Sequence, residues 1–210
     1  MLTDILKYVV ENQEAFIQAL LEHILLSFVS VIIAFIIAMP LGIVCAKFKK
    51  VSNTIIGIFT FLRLIPSIAI LILFLPILKT GFLPATVALT ILAIPPICIN
   101  TYSGIKGVDP FLIESATGMG LNKRQIFFRV ELPLSVPMVI VGLRTSLIDV
   151  IATATVASIM GAGGLGRYIF AGMQMNNLVL LLLGGVTVAL IALFVETTLT
   201  IVQNRFNQYV

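Results

Sequence analysis

Charge is scarce in this chain and tryptophan is absent altogether. Of 210 residues, 10% are charged, 60% are hydrophobic and the mean hydropathy is +1.16, whereas a soluble domain carries about a quarter charged residues. A water-soluble globular domain is excluded, and the chain belongs in a bilayer. Cysteine is limited to Cys45 and Cys98, both inside apolar runs. There a thiol behaves as a small hydrophobe, and without His or carboxylate neighbours the pair makes no zinc site. The one histidine, His23, borders the first apolar run and reads as an interfacial polar group rather than a proton relay. No G-x-x-x-x-G-K-[ST] phosphate loop occurs, so ATP hydrolysis by that route is excluded. No catalytic, metal or cofactor site is expected. Basic clusters interleaved with exposed aromatics are also missing, so a net charge of +4 implies no nucleic-acid partner.

What is abundant is oil. A helix crosses the hydrocarbon core with about 20 residues, and apolar runs of that order recur at 24–46, 54–78, 84–105, 137–160 and 178–202. Five transmembrane helices in a single all-α membrane domain, 1–210, are expected. Residues 1–23 carry Asp4, Glu11, Glu14 and Glu22 against Lys7, unlike a signal peptide. Their apolar pairs Ile5/Leu6, Val9/Val10, Phe16/Ile17 and Leu20/Leu21 form a helical stripe, which predicts an interfacial helix. Lys47, Lys49 and Lys50 end the first run, and Lys106, Lys123, Arg124 and Arg129 cluster in 106–136. Short cytoplasmic loops hold such residues. The N-terminus is therefore expected outside and the C-terminus, with Arg205, in the cytoplasm of a multi-pass cell-membrane protein.

The longest polar segment is 106–136. Asp109-Pro110 is a helix start, Gly118 and Gly120 are a stop, and Asn122 with Gln125 is a capping-box restart. The second helix is expected to end near Leu132-Pro133. Two short helices then meet at a glycine elbow, with Phe111, Leu112, Leu121, Ile126, Phe127 and Val130 on an apolar side. That side can pack on the span ends, as an amphipathic connector, or sit in another protein's groove.

The spacing resembles the cytoplasmic coupling loop of ATP-binding-cassette importer permeases: E-A-A, three residues, G, nine residues, I-x-L-P. Here it reads Glu114-Ser115-Ala116, then Gly120, then Leu121 to Arg129, then Val130-Glu131-Leu132-Pro133. Ser115 and Val130 are the two departures, both small. The stretches "RLIPSIAIL", "PPICINTYSGIKGVDPFLIESATGMG", "LPLSVPMVIVGLRTSL" and "ATATVASIMGAGGLGRYIFAGM" resemble permeases of the glycine betaine, carnitine and choline importers, with the glycine-rich part shared with methionine permeases. The resemblance implies a type I importer fold and alternating access. It also implies four partners: membrane lipid, separate ATPase subunits that bind ATP and Mg, an extracellular substrate-binding protein, and a second permease subunit, identical or homologous. Glu114, Ser115, Ala116, Gly120, Leu121, Val130, Leu132 and Pro133 would carry the ATPase coupling. An amino acid such as methionine is the alternative cargo. An ion-coupled secondary transporter, the competing class, would favour inverted repeats and intramembrane carboxylates.

Several residues are candidates for a pathway or gate. Irregular backbone at membrane depth must be satisfied by protein or a water-filled cavity, which draws attention to Pro66, Gly161, Gly163 and Gly164, although proline kinks are common in spans. Ser67, Asn100, Thr153 and Thr155 can line a path or bond helices together. Arg63 and Asp149 lie nine and eleven residues in from Thr54 and Met138, at ~14 and ~17 Å along straight helices. Such charges are costly in lipid, so a compensating ion pair is expected. Arg144 is expected to reach the inner interface. With no Trp and four Tyr, an aromatic cage for a quaternary ammonium is poorly supplied, which leaves tight selection to the binding protein.

Overall fold

The computed structural model describes residues 2–207, so residues 1 and 208–210 of the expected domain lie outside the described residues. Ten α-helices are described: α1 (Leu2–Glu11), α2 (Gln13–Lys47), α3 (Lys49–Leu62), α4 (Ser67–Leu78), α5 (Phe82–Lys106), α6 (Pro110–Gly118), α7 (Lys123–Ile126), α8 (Leu132–Ala157), α9 (Gly166–Gln174) and α10 (Leu178–Asn207). A π turn, Phe127–Glu131, joins α7 to α8, and a short 3-10 turn, Ser158–Met160, follows α8.

The α2, α5 and α8 helices form the core, with α10 against α8 and α9. Lipid tails are as apolar as leucine, so close backbone packing and small residues hold such helices together. Ala34 and Ala38 of α2, Ala85, Ala88 and Ala93 of α5 and Ala154 and Ala157 of α8 are buried for this reason. Where α2 crosses α5, a Cβ on Gly42 would lie 2.7 Å from the Thr101 Cβ and 2.8 Å from the Cys98 carbonyl oxygen, so any larger residue forces α2 off α5. Two buried hydroxyls bond across the core helices, Ser146 Oγ of α8 donating to the Ala93 carbonyl of α5 at 2.8 Å and Thr90 Oγ1 of α5 to that of Ser30 of α2 at 3.2 Å, whereas the buried Thr101 Oγ1 has no partner among the described residues.

Three expectations change. The run 54–78 is not one straight helix: α3 and α4 meet at a bend of 92°. Pro66 disfavours helical backbone at Ile65 and cannot donate to the preceding turn, so the chain turns at 63–66. Among the described residues, four helices are long and apolar enough to span a bilayer, or five if the bent pair is one span. Second, the break near the N-terminus falls at Asn12, whose side chain donates to the Tyr8 carbonyl at 3.1 Å. From Gln13 the chain runs as one 35-residue helix, ~52 Å long, so residues 13–23 continue the first span. Third, the helix begun at Lys123 does not stop at Leu132-Pro133. A proline ring clashes with the carbonyl four residues back, and the wide turn 127–131, closed by the Leu132 amide onto the Phe127 carbonyl, makes room for Pro133 without ending the helix.

Candidate functional site

The elbow at 109–133 is built by three local devices. The Asp109 carboxylate accepts from the Phe111 amide at 2.9 Å, with Pro110 at the first helical position. At the far end of α6 the amides of Gly120 and Leu121 return to the carbonyls of Thr117 and Ala116 at 2.9 and 3.2 Å. That closure needs left-handed backbone at residue 120, where φ is +84°, and glycine takes it without a Cβ penalty. The motif glycine is thus a helix terminator. Asn122 and Gln125 then cap each other's backbone at 3.0 and 2.8 Å.

The apolar side of this element divides in two. Ala116, Ile126 and Phe127 are buried, the last against Ala46 and Ile105 at the ends of α2 and α5, with Leu132 packed beside them. Lys47 Nζ lies over the Phe127 ring. Leu121, Val130 and Leu132 are half-buried. Phe111, Leu112, Met119 and Phe128 face outward, Phe111 at 69% and Met119 at 73% exposure, and Glu114, Ser115 and Pro133 are exposed with them. One face therefore anchors the elbow to the spans while the other stays open.

The pathway candidates separate as well. Arg63, Pro66, Ser67, Asp149 and Thr153 line one cavity of about 390 Å³, walled by the 62–67 bend, by Leu92, Pro95 and Pro96 of α5, and by Ala152 of α8. Arg63 and Asp149 face it from opposite elements, and among the described residues no ion pair within 4.0 Å joins them. Asn100 is elsewhere, donating to the Pro96 carbonyl at 2.8 Å. Thr155 donates to the Ala152 carbonyl, also outside the cavity. Gly161, Gly163 and Gly164 lie in the loop between α8 and α9.

The sequence family described as "Binding-protein-dependent transport system inner membrane component" matches residues 38–209. The chain belongs to this family. It is 41% identical to the choline transport system permease protein OpuBB of Bacillus subtilis over 89% of this chain and 86% of the relative. It is 42% identical to the carnitine transport permease protein OpuCB of Listeria monocytogenes, over 89% and 85%. In structure it resembles the MetNI methionine ABC transporter in an inward-facing conformation, with a TM-score of 0.79, 23% identity, and coverage of 92% of this chain and 97% of that one. The chain is therefore a multi-pass permease component of a transport system, with a type I importer fold.

Two features of this permease escape sequence reading. At the end of α8 remote from the elbow, the 161–164 loop closes on the start of the first span. The Gly164 amide donates to Glu22 Oε2 at 3.0 Å, and a Cβ on Gly163 would lie 2.3 Å from the same oxygen. His23 is not an interfacial group: it is fully buried, its Nε2 donating to the Ile151 carbonyl at 3.1 Å. Arg167 donates to the Ala15 carbonyl and lies 5.4 Å from the Tyr168 ring. Burial pushes the Tyr168 phenol above its ordinary value, opposed by that guanidinium. The second feature is a partner for Arg144. Instead of extending to the inner interface, its guanidinium donates to Thr200 Oγ1 at 2.8 Å and lies 3.5 Å from the Glu196 carboxylate of α10. A scan for charge inside the 178–202 run finds that carboxylate.

Proposed function

We propose that this chain is the permease subunit of an ATP-driven importer for a small quaternary-ammonium or zwitterionic solute of the glycine betaine, carnitine and choline type. The observation that carries the mechanism is the divided elbow. Its inner face is packed on α2 and α5 through Phe127, and its outer face presents Phe111, Leu112 and Met119. A helix held that way transmits a push from a groove that receives it. The groove belongs to a separate ATPase, which binds ATP and Mg; this chain binds no cofactor and is not itself an enzyme.

The topology that fits has five spans, counting α3 and α4 as one broken span, with the N-terminus outside and the elbow and C-terminus in the cytoplasm. Two permease subunits, identical or homologous, enclose the path, and an extracellular binding protein delivers cargo. ATP-driven closure of the ATPases draws the elbows together, tilts the bundles and opens the cavity outward; hydrolysis resets it inward. The names of the relatives at 41% and 42% identity support the cargo class.

Reconstitution tests this reading. Proteoliposomes holding the permease and its ATPase, supplied with binding protein, are expected to accumulate labelled glycine betaine or choline only with ATP. Uptake driven by an ion gradient without ATPase would establish a secondary transporter instead.

A further inference from the structure

The cavity at the bend between α3 and α4 has an arrangement that the importer reading leaves unexplained. It carries one cation and one anion, Arg63 and Asp149, on walls contributed by different elements. Both side chains are exposed to the space, and no ion pair within 4.0 Å joins them among the described residues. An unpaired charge at membrane depth is expensive and marks a function by default. Here there are two of opposite sign on the walls of one cavity.

The other lining residues narrow the chemistry. None is aromatic: the rest are Leu62, Leu64, Ile65, Leu92 and Ala152, the prolines, and the hydroxyls of Ser67 and Thr153. Without an aromatic face, a cationic headgroup has no cation–π partner in this cavity, and Asp149 is the group that attracts it. Arg63 is correspondingly available to a carboxylate, which its planar fork accepts in bidentate fashion. The volume, about 390 Å³, lies at the small end of the ~300–1,000 Å³ range of small-molecule sites.

We propose that this cavity is a substrate subsite selective for zwitterions: Arg63 takes the carboxylate and Asp149 the cationic end, so that the solute neutralises both charges as it passes. A betaine satisfies the pair. Choline, with an onium and no carboxylate, satisfies Asp149 and leaves the guanidinium repelling it. The inference rests on the importer reading and adds to it a discrimination made by the permease itself.

The test uses the whole transporter in proteoliposomes with binding protein in excess, and glycine betaine and choline as the probes. Arg63→Gln is expected to lower kcat/KM for glycine betaine by about tenfold or more, the worth of a charge-assisted hydrogen bond, while leaving that for choline unchanged or raised, because the repelling guanidinium is gone. Asp149→Asn is expected to lower both, and Arg63→Lys to keep the preference for glycine betaine. Equal loss of both probes in Arg63→Gln, or no loss of either, overturns the assignment. A variant that fails to assemble does not end the test, because calorimetry on the wild-type permease–ATPase complex without binding protein decides it alone. Glycine betaine is expected to bind about tenfold tighter than choline; equal affinities, or no saturable binding of glycine betaine, overturn it. Wild-type vesicles that take up neither probe with ATP would remove the importer reading, and this subsite with it.

Discussion

Lys47 Nζ sits 3.9 Å from the centroid of the Phe127 ring, joining the last turn of the first span to the elbow. The contact stacks a cation on an aromatic face that is itself buried against Ala46 and Ile105. In the proposed mechanism this contact is where motion of the elbow reaches two spans. Phe127→Ala removes the ring and leaves a void, costing about 3 kcal/mol, whereas Lys47→Gln removes only a cation–π term of about 1 kcal/mol. In reconstituted transporter the Phe127 variant is expected to cut solute moved per ATP hydrolysed by several fold while ATPase activity persists. Transport and hydrolysis falling in parallel would show that the ring does not couple them.

Gly120 has open space around the position of a Cβ, with nothing within 4 Å, yet its φ is +84°. Substitution there is penalised by backbone conformation alone. Gly120→Ala is expected to weaken the α6 terminus by about 1–2 kcal/mol, and Gly120→Asn, which tolerates left-handed backbone, by less. Co-purification of the ATPase with each variant should follow that order. An alanine variant that retains the ATPase as fully as wild type would show that the loop holds its shape without the glycine.

The elbow was legible because its signals are local: Asp109-Pro110, Gly120, and Asn122 with Gln125 each act within a few residues. The spans were legible because hydrophobic length is a bulk property of a run. Direction is not such a property, so the 92° turn at 63–66 was hidden inside an apolar stretch of the right length. Pro133 read as a stop because its clash is with a regular α-turn, and the sequence carries no plain mark of the wide turn that relieves it. Glu22 and Gly164, 142 residues apart, meet only once α2 has packed against α8. Arg63 and Asp149 stand out in the sequence as charges inside apolar runs, but what they share is a cavity walled in part by the bend.

The loop between α8 and α9 makes a separate prediction at the other end of the bundle. Gly163→Ala sets a methyl against the Glu22 carboxylate and onto backbone with φ of +77°. Both effects act together, so this variant should lower the thermal midpoint of the purified permease more than Glu22→Ala, which removes the hydrogen bond from the Gly164 amide, worth about 1–3 kcal/mol, and an exposed one from the Gln18 side chain. Glu22→Gln keeps an oxygen for the Gly164 amide and is expected to fall closest to wild type. If Glu22→Gln is as damaging as Glu22→Ala, the charge rather than the acceptor holds the loop.

Arg144 and Glu196 provide the last test, since each is the other's counter-charge between α8 and α10. Removing one leaves the other facing an apolar bundle, and such orphans cost more than the pair contributes. Arg144→Gln and Glu196→Gln should therefore each destabilise the protein in detergent or lipid, and the double variant should recover part of the loss, an interaction energy of about 1 kcal/mol in a double-mutant cycle. The Glu196 side chain is 41% exposed, which keeps the expected value modest. Thr200 Oγ1 is still there to accept from Arg144 in the Glu196 variant, so the arginine loses its charge partner but keeps an acceptor. Loss of Arg144 is accordingly expected to be the more costly of the two, and additive single effects would show that α8 and α10 are held by packing alone.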